Sequence, residues 1–168
     1  MTQHLSIQNC PALGNDGADG VGLGKLTNSL GFLLRMAQIE IFESFHAALG
    51  EHGLKPGEFS VLWLISQHPG VRQGVIAKSL RIKLAHMTKL IRTLEERGYV
   101  QRHIPDDDRR SVLLTLTKQG ADFVRKNQSD FFGYTFSEGG NLTKVEVASL
   151  VGLLQKFTGI KAEKSNEF

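Results

Sequence analysis

A mainly α fold with a small β-hairpin wing is predicted by three features of this chain. Leu84, Met87, Leu90, Ile91 and Leu94 recur at intervals of three and four, which puts them on one face of a helix over about 84–97. A shorter helix, about Gln73 to Leu80, precedes it, and only Arg81-Ile82-Lys83 lies between. Gly98 follows where a helix end favours a residue tolerant of positive φ; Tyr99–His103 then alternates as a strand does, Pro105–Arg109 is a turn and Val112–Leu116 returns. Helix, turn, helix and hairpin in that order make a winged helix-turn-helix lobe, a shape that sets its second helix in a DNA major groove.

Charge agrees with this order of elements. Val71–Thr117 holds ten Lys and Arg against five Asp and Glu, a net of +5 where the whole chain is +3, so the remainder is −2. A basic surface on a near-neutral body suits an anionic partner. An ordinary solvated helix face beside an ordinary hairpin is the plainer alternative.

The flanking segments are helical. Residues 1–25 form a leader with Gly14, Gly17, Gly20, Gly22 and Gly24 and no sustained period. Leu26–Leu49 reads as one long helix, capped by Thr27, Asn28 or Ser29, with a stripe from Leu26 through Leu30, Leu33, Leu34, Ala37 and Ile41 to Phe45. Phe32, Met36, Ile39 and Phe42 lie off the stripe, so the helix is apolar around most of its circumference. A chain of 168 residues cannot surround such a helix, and a second subunit is the simplest cover. Pro56 and Glu58 start the next helix, which runs to His68 and buries Phe59, Leu62, Trp63 and Ile65. A further helix spans Thr117 to about Phe136. Thr143-Lys144-Val145-Glu146 is a capping box opening a last apolar helix. The expected organisation is therefore a leader at 1–25, a helical dimerisation region at 26–55 and 118–160, a winged helix-turn-helix region at 56–117, and a tail at 161–168.

The hairpin carries a more specific signal. Asp108-Arg109-Arg110-Ser111-Val112-Leu113-Leu114-Thr115-Leu116-Thr117 resembles the wing signature of MarR-type transcriptional regulators: Asp-x-Arg, three residues, an apolar residue, then x-Leu-Thr. Leu94–Val100 resembles that family's helix exit and Lys118-Gln119-Gly120 its next helix start. The chain departs from the pattern at Arg72, where a Ser or Thr cap is usual, and at Arg81, where the turn commonly has Gly.

Lys83, Ala85, His86, Thr88, Lys89 and Arg92 are the residues expected to face DNA. His86 and Thr88 are short enough to read base edges, Ala85 could touch a thymine methyl, Lys89 and Arg92 could take phosphate or guanine, and Lys83 could meet phosphate. Arg109 or Arg110 could enter the minor groove from the wing tip, and the resemblance puts Arg110 at the signature arginine. Asp108 would orient an arginine of the wing or the recognition helix through a bidentate pair. The resemblance also implies a homodimer on a pseudo-palindromic double-stranded operator, released by a small effector. Its pocket would draw on Phe42, Phe45, His46, Phe59, Trp63 and Phe131, with Arg35 as a carboxylate partner; an aromatic acid or its acyl thioester is the effector class expected.

Other chemistries are weakly supported. No Ser-His-Asp signature, phosphate loop after a strand, or paired-His metal helix is present, so an enzyme is not expected, nor is a cofactor. The lone Cys10 lies in the leader with no neighbouring base to lower its pKa, which argues against peroxide sensing. His46, His52, His68 and Glu43 lack tight metal-ligand spacing. No stretch is apolar enough to span a membrane, and a cytoplasmic location is the simplest expectation. The competing function is a winged-helix module that binds protein and not specific DNA.

Overall fold

The computed structural model describes residues 21–49, 54–106, 108, 111–133 and 142–162, with the side chains of 44, 46–49 and 130 outside the description. The chain divides into two compact units: 28–131, and a second drawn from the flanking 1–27 and 132–168. Leader positions up to residue 20, Cys10 included, lie outside the described residues, as does most of the tail.

Within 28–131 the elements run α1 (Leu30–Leu49), α2 (Pro56–Gln67), β1 (Val71–Arg72), α3 (Gln73–Ser79), α4 (Leu84–Glu96), β2 (Val100–His103) and β3 (Leu113–Leu116), and α5 (Lys118–Gly133) leads out of the unit. The expected long helix starts later than its apolar stripe. Gly24–Asn28 is a separate 3-10 turn, and Ser29 Oγ accepts the Phe32 N–H as the chain enters α1. Leu26 therefore falls outside the helix.

The core is built where the helix-turn-helix meets α2. Leu54, Phe59, Val61, Leu62, Ile65, Ile76, Ala77, Met87, Ile91, Leu94, Val100 and Leu114 are all buried. On α2, Phe59, Leu62 and Ile65 are buried as expected, Trp63 is only half-buried, and Val61 is buried as well. On α4, Met87, Ile91 and Leu94 bury as their spacing predicts, but Leu84, at the first turn, is 58% exposed. The helix ends in a Schellman pattern: the Gly98 N–H donates to the Glu95 carbonyl at 2.9 Å and the Tyr99 N–H to the Leu94 carbonyl at 3.0 Å, with Gly98 at φ 76°.

The hairpin gains a third strand. The order is β1-β3-β2, all antiparallel, with Val71 opposite Leu114 and Val100 opposite Leu116. Two residues are too few to leave an alternation in the sequence. Arg72 caps α3 without a side-chain bond, so its β pairing and the Gln73 N–H, which donates to the Val112 carbonyl at 2.8 Å, hold the helix start instead.

The turn between α3 and α4 puts Arg81 at φ 53°, the one non-glycine residue with positive φ among the described residues. A side chain there costs roughly 1 kcal/mol against glycine. Arg81→Gly is expected to raise stability by about 1 kcal/mol. A lower urea midpoint for that variant would contradict strain at this turn.

In the second unit, α6 (Lys144–Thr158) opens on the expected capping box. The Thr143 N–H donates to the Glu146 carboxylate at 2.7 Å, and these bonds, from the backbone first and the hydroxyl second, hold the Glu146 carboxyl below the usual carboxylate range. None of α6 is buried, and Val145, Leu150, Val151, Leu153 and Phe157 are exposed. In the first unit, Leu30, Leu33 and Phe42 of α1 are likewise exposed. No helix among the described residues is long and apolar enough to cross a membrane.

Candidate nucleic-acid interface

α4 has one buried face and one open face. With Met87, Ile91 and Leu94 turned into the core, Ala85, His86, Thr88, Lys89 and Arg92 are all left exposed. Lys83, the N-cap residue, is exposed too. No acidic residue occupies the first turn, so nothing there offsets the positive end of the helix dipole. Exposed Leu84 adds an apolar group beside Ala85; its spacing does not reveal this, because Leu84 fits the apolar periodicity equally well.

Two of these side chains already have partners. Arg92 Nε donates to Glu96 at 3.1 Å, an exposed i,i+4 pair of small worth that the guanidinium can leave. The Thr88 hydroxyl donates to the Leu84 carbonyl and accepts from Gln73 Nε2, each at 2.9 Å. Gln73 was not among the expected site residues; it is buried and 15 positions away, and no local pattern links it to Thr88.

At the wing, Asp108 lies 3.6 Å from the Arg72 guanidinium and accepts a hydrogen bond from Ser111 Oγ. Arg72 belongs to β1, at the threshold of α3, so Asp108 also reaches an arginine outside the wing and the recognition helix. Arg109 and Arg110 lie outside the described residues. On β2, Arg102 pairs with Glu95 of α4 and joins wing to helix.

The aromatic residues expected to line an effector pocket pack largely on one another. Phe59 and Phe131 stack with centroids 4.3 Å apart, and Phe45 meets Phe131 edge-on at 5.7 Å. Phe45 and Phe59 are buried, Trp63 is half-buried, and Phe42 and Arg35 are exposed. The His46 side chain lies outside the description. A cleft of about 380 Å³ opens elsewhere, lined by Leu64, His68, Val71, Val75, Ile76 and Ser79 among others. Among the described residues no three His, Cys, Asp or Glu cluster as metal ligands.

A tight joint lies behind α4. The Thr117 N–H donates to the Tyr99 carbonyl at 3.0 Å, its hydroxyl donates to the Gly98 carbonyl at 2.6 Å, and that hydroxyl accepts the Gly120 N–H at 3.0 Å. Gly120 lies so close that a Cβ there would sit 2.1 Å from the Tyr99 carbonyl oxygen. Tyr99 in turn rests against Phe123, 5.0 Å between centroids, and under the Arg97 guanidinium.

Comparison with known proteins fits this architecture. Residues 54–112 match the model of the MarR family. The transcriptional repressor Rv2887 of Mycobacterium tuberculosis is 30% identical over 112 residues, 67% of this chain and 76% of that protein. The structure of the transcriptional repressor CouR bound to a 23-mer DNA duplex matches with TM-score 0.69 and 30% identity, over 82% of this chain and 95% of CouR. Bordetella bronchiseptica BpsR, whose DNA binding is regulated by 6-hydroxynicotinic acid, matches with TM-score 0.71 and 26% identity, over 80% of this chain and 96% of BpsR. The chain belongs to the MarR family and has its winged-helix fold.

Proposed function

We propose that this protein is a homodimeric transcriptional repressor that grips a pseudo-palindromic operator through α4 and is released by a small aromatic ligand. The observation that carries the reading is the open face of α4, where short and basic side chains stand opposite three buried apolar ones. In a two-fold dimer the two α4 helices would sit about one DNA turn apart, roughly 34–36 Å. The unburied apolar residues of α6 are the natural dimer surface, since a broad apolar face left in water is costly. His86 and Thr88 then read base edges, Ala85 and Leu84 lie near thymine methyls, and Lys83, Lys89 and Arg92 take phosphates or guanine. Arg109 or Arg110 enters the minor groove, and Asp108 fixes the base of the wing through Arg72.

The ligand class rests on the similarity to BpsR and on the aromatic content near α2. With Phe45, Phe59 and Phe131 filling core space, the exposed Phe42 and Arg35 and the half-buried Trp63 are the described positions left to meet an aromatic acid or its thioester. A cytoplasmic location follows from action on DNA.

Fluorescence anisotropy on DNA from upstream of the protein's own gene, against scrambled DNA at two salt concentrations, tests the reading. Tight binding to the upstream DNA alone is expected, with a logarithmic salt slope of about −0.9 for each phosphate neutralised. Addition of one aromatic acid or thioester should abolish it. No binding to either duplex at low salt would reject the repressor reading and favour a protein-binding module.

A further inference from the structure

The first turn of α4 presents carbon to the outside. Leu84 opens the helix and is 58% exposed, although it lies on the same stripe as Met87 and Ile91, which are fully buried. It carries that stripe past the point where the core ends. Ala85 beside it is exposed and has only a methyl group to offer. Thr88, one turn on, donates its hydroxyl proton to the Leu84 carbonyl at 2.9 Å and accepts Gln73 Nε2 at 2.9 Å. A threonine hydroxyl has one proton, so with that bond in place Thr88 has no donor left for a base. A lone exposed leucine is ordinary on a protein surface. This one stands at the N-terminal end of α4, the end from which a recognition helix addresses base edges.

We propose that Leu84 is a specificity-determining residue, which selects a pyrimidine bearing a 5-methyl group in each half-site by apolar contact in the major groove. The inference rests on α4 lying in that groove, as proposed above. The C5 methyl of thymine is the one apolar group that the base pairs present there. The side chains of Leu84 and Ala85 can neither donate nor accept. Amino or carbonyl groups of a base set against them would lose water without gaining a partner. A methyl set there is removed from water together with the leucine, and both gain. Leucine reaches two carbons further than alanine, so the contact belongs to Leu84 first. 5-Methylcytosine carries the same methyl on the same ring carbon, so affinity should also respond to cytosine methylation at that position.

The full chain would first select its site from a pool of random duplexes. Each thymine of one half-site would then be replaced in turn by deoxyuracil, which deletes the methyl alone. At the sensitive position, cytosine and 5-methylcytosine would also be compared. In the wild type, deoxyuracil at one position should weaken binding about three- to five-fold, and 5-methylcytosine should bind better than cytosine there by about the same factor. Both effects should shrink below about 1.5-fold in Leu84→Ala and persist in Leu84→Met, which keeps an apolar side chain of similar reach. Leu84 is exposed, so both variants leave the core intact. A specific wild type indifferent to deoxyuracil at every thymine would overturn the inference. So would 5-methylcytosine binding no better than cytosine, or methyl effects that survive unchanged in Leu84→Ala. A wild type that selects no sequence at all would instead bring down the repressor reading, and this inference with it.

Discussion

Gly120→Ala is expected to destabilise the protein by about 3 kcal/mol, which for a chain of this size lowers the melting temperature by roughly 6–12 °C. In most helices the same change stabilises by about 0.5–1 kcal/mol, because glycine loses more freedom on folding. The contact decides the sign. The added Cβ would meet the Tyr99 carbonyl oxygen at 2.1 Å and its carbon at 2.9 Å, and both are backbone atoms that cannot rotate away. α5 would have to lift from the exit of α4, breaking the bonds that Thr117 makes to Tyr99 and Gly98. Gly74→Ala is the control, since nothing lies within 4 Å of a Cβ there and α3 should be firmer for it. Thermal unfolding of the two variants should move in opposite directions. A Gly120→Ala protein as stable as the wild type would show that the joint yields easily.

The second large effect is on DNA. In the proposed dimer, removing Lys89 and Arg92 together deletes four positive groups, all within reach of phosphate or guanine in the proposed geometry. Affinity for the selected operator should fall about 100-fold or more near 0.1 M salt, and the salt slope should flatten by up to about 3.6. Folding should scarcely change, since both side chains are exposed and the Arg92–Glu96 pair is a surface contact worth at most about 1 kcal/mol. Arg125→Ala, which removes an equally exposed arginine paired with Asp122 on α5, should leave DNA binding intact. An unaltered slope in the double variant would mean that α4 faces something other than the duplex.

Much of this architecture was legible because its signals are local. Met87, Ile91 and Leu94 announce α4 by spacing, Gly98 marks its end, and Thr143 with Glu146 marks the start of α6. Arg81 was legible as a departure, and the positive φ shows why glycine would be at ease there. What escaped the sequence depends on contacts between distant segments. β1 is two residues long and exists because β3 is beside it. Leu84 satisfies the helical period yet faces outward, because the core ends before the first turn of α4. Gln73 and Thr88 meet only once α3 and α4 cross. The aromatic residues near α2 could have lined a cavity or filled one, and periodicity does not distinguish the two; the stacking of Phe59 on Phe131 shows filling.

The middle position of β3 has a mechanical consequence. One edge of that strand carries β1, which runs directly into α3, and the other carries β2, which runs directly out of α4. The wing is thus no separate flap on a hinge but is welded at both edges to the two helices it accompanies. A force applied anywhere on this lobe turns helix and wing together, as the jaw of a pair of callipers turns in one piece. In the proposed dimer, whatever loosens the grip would then do so by altering the gap between two stiff jaws, and a mismatch of that gap with the helical repeat would cost major-groove and minor-groove contacts at the same moment.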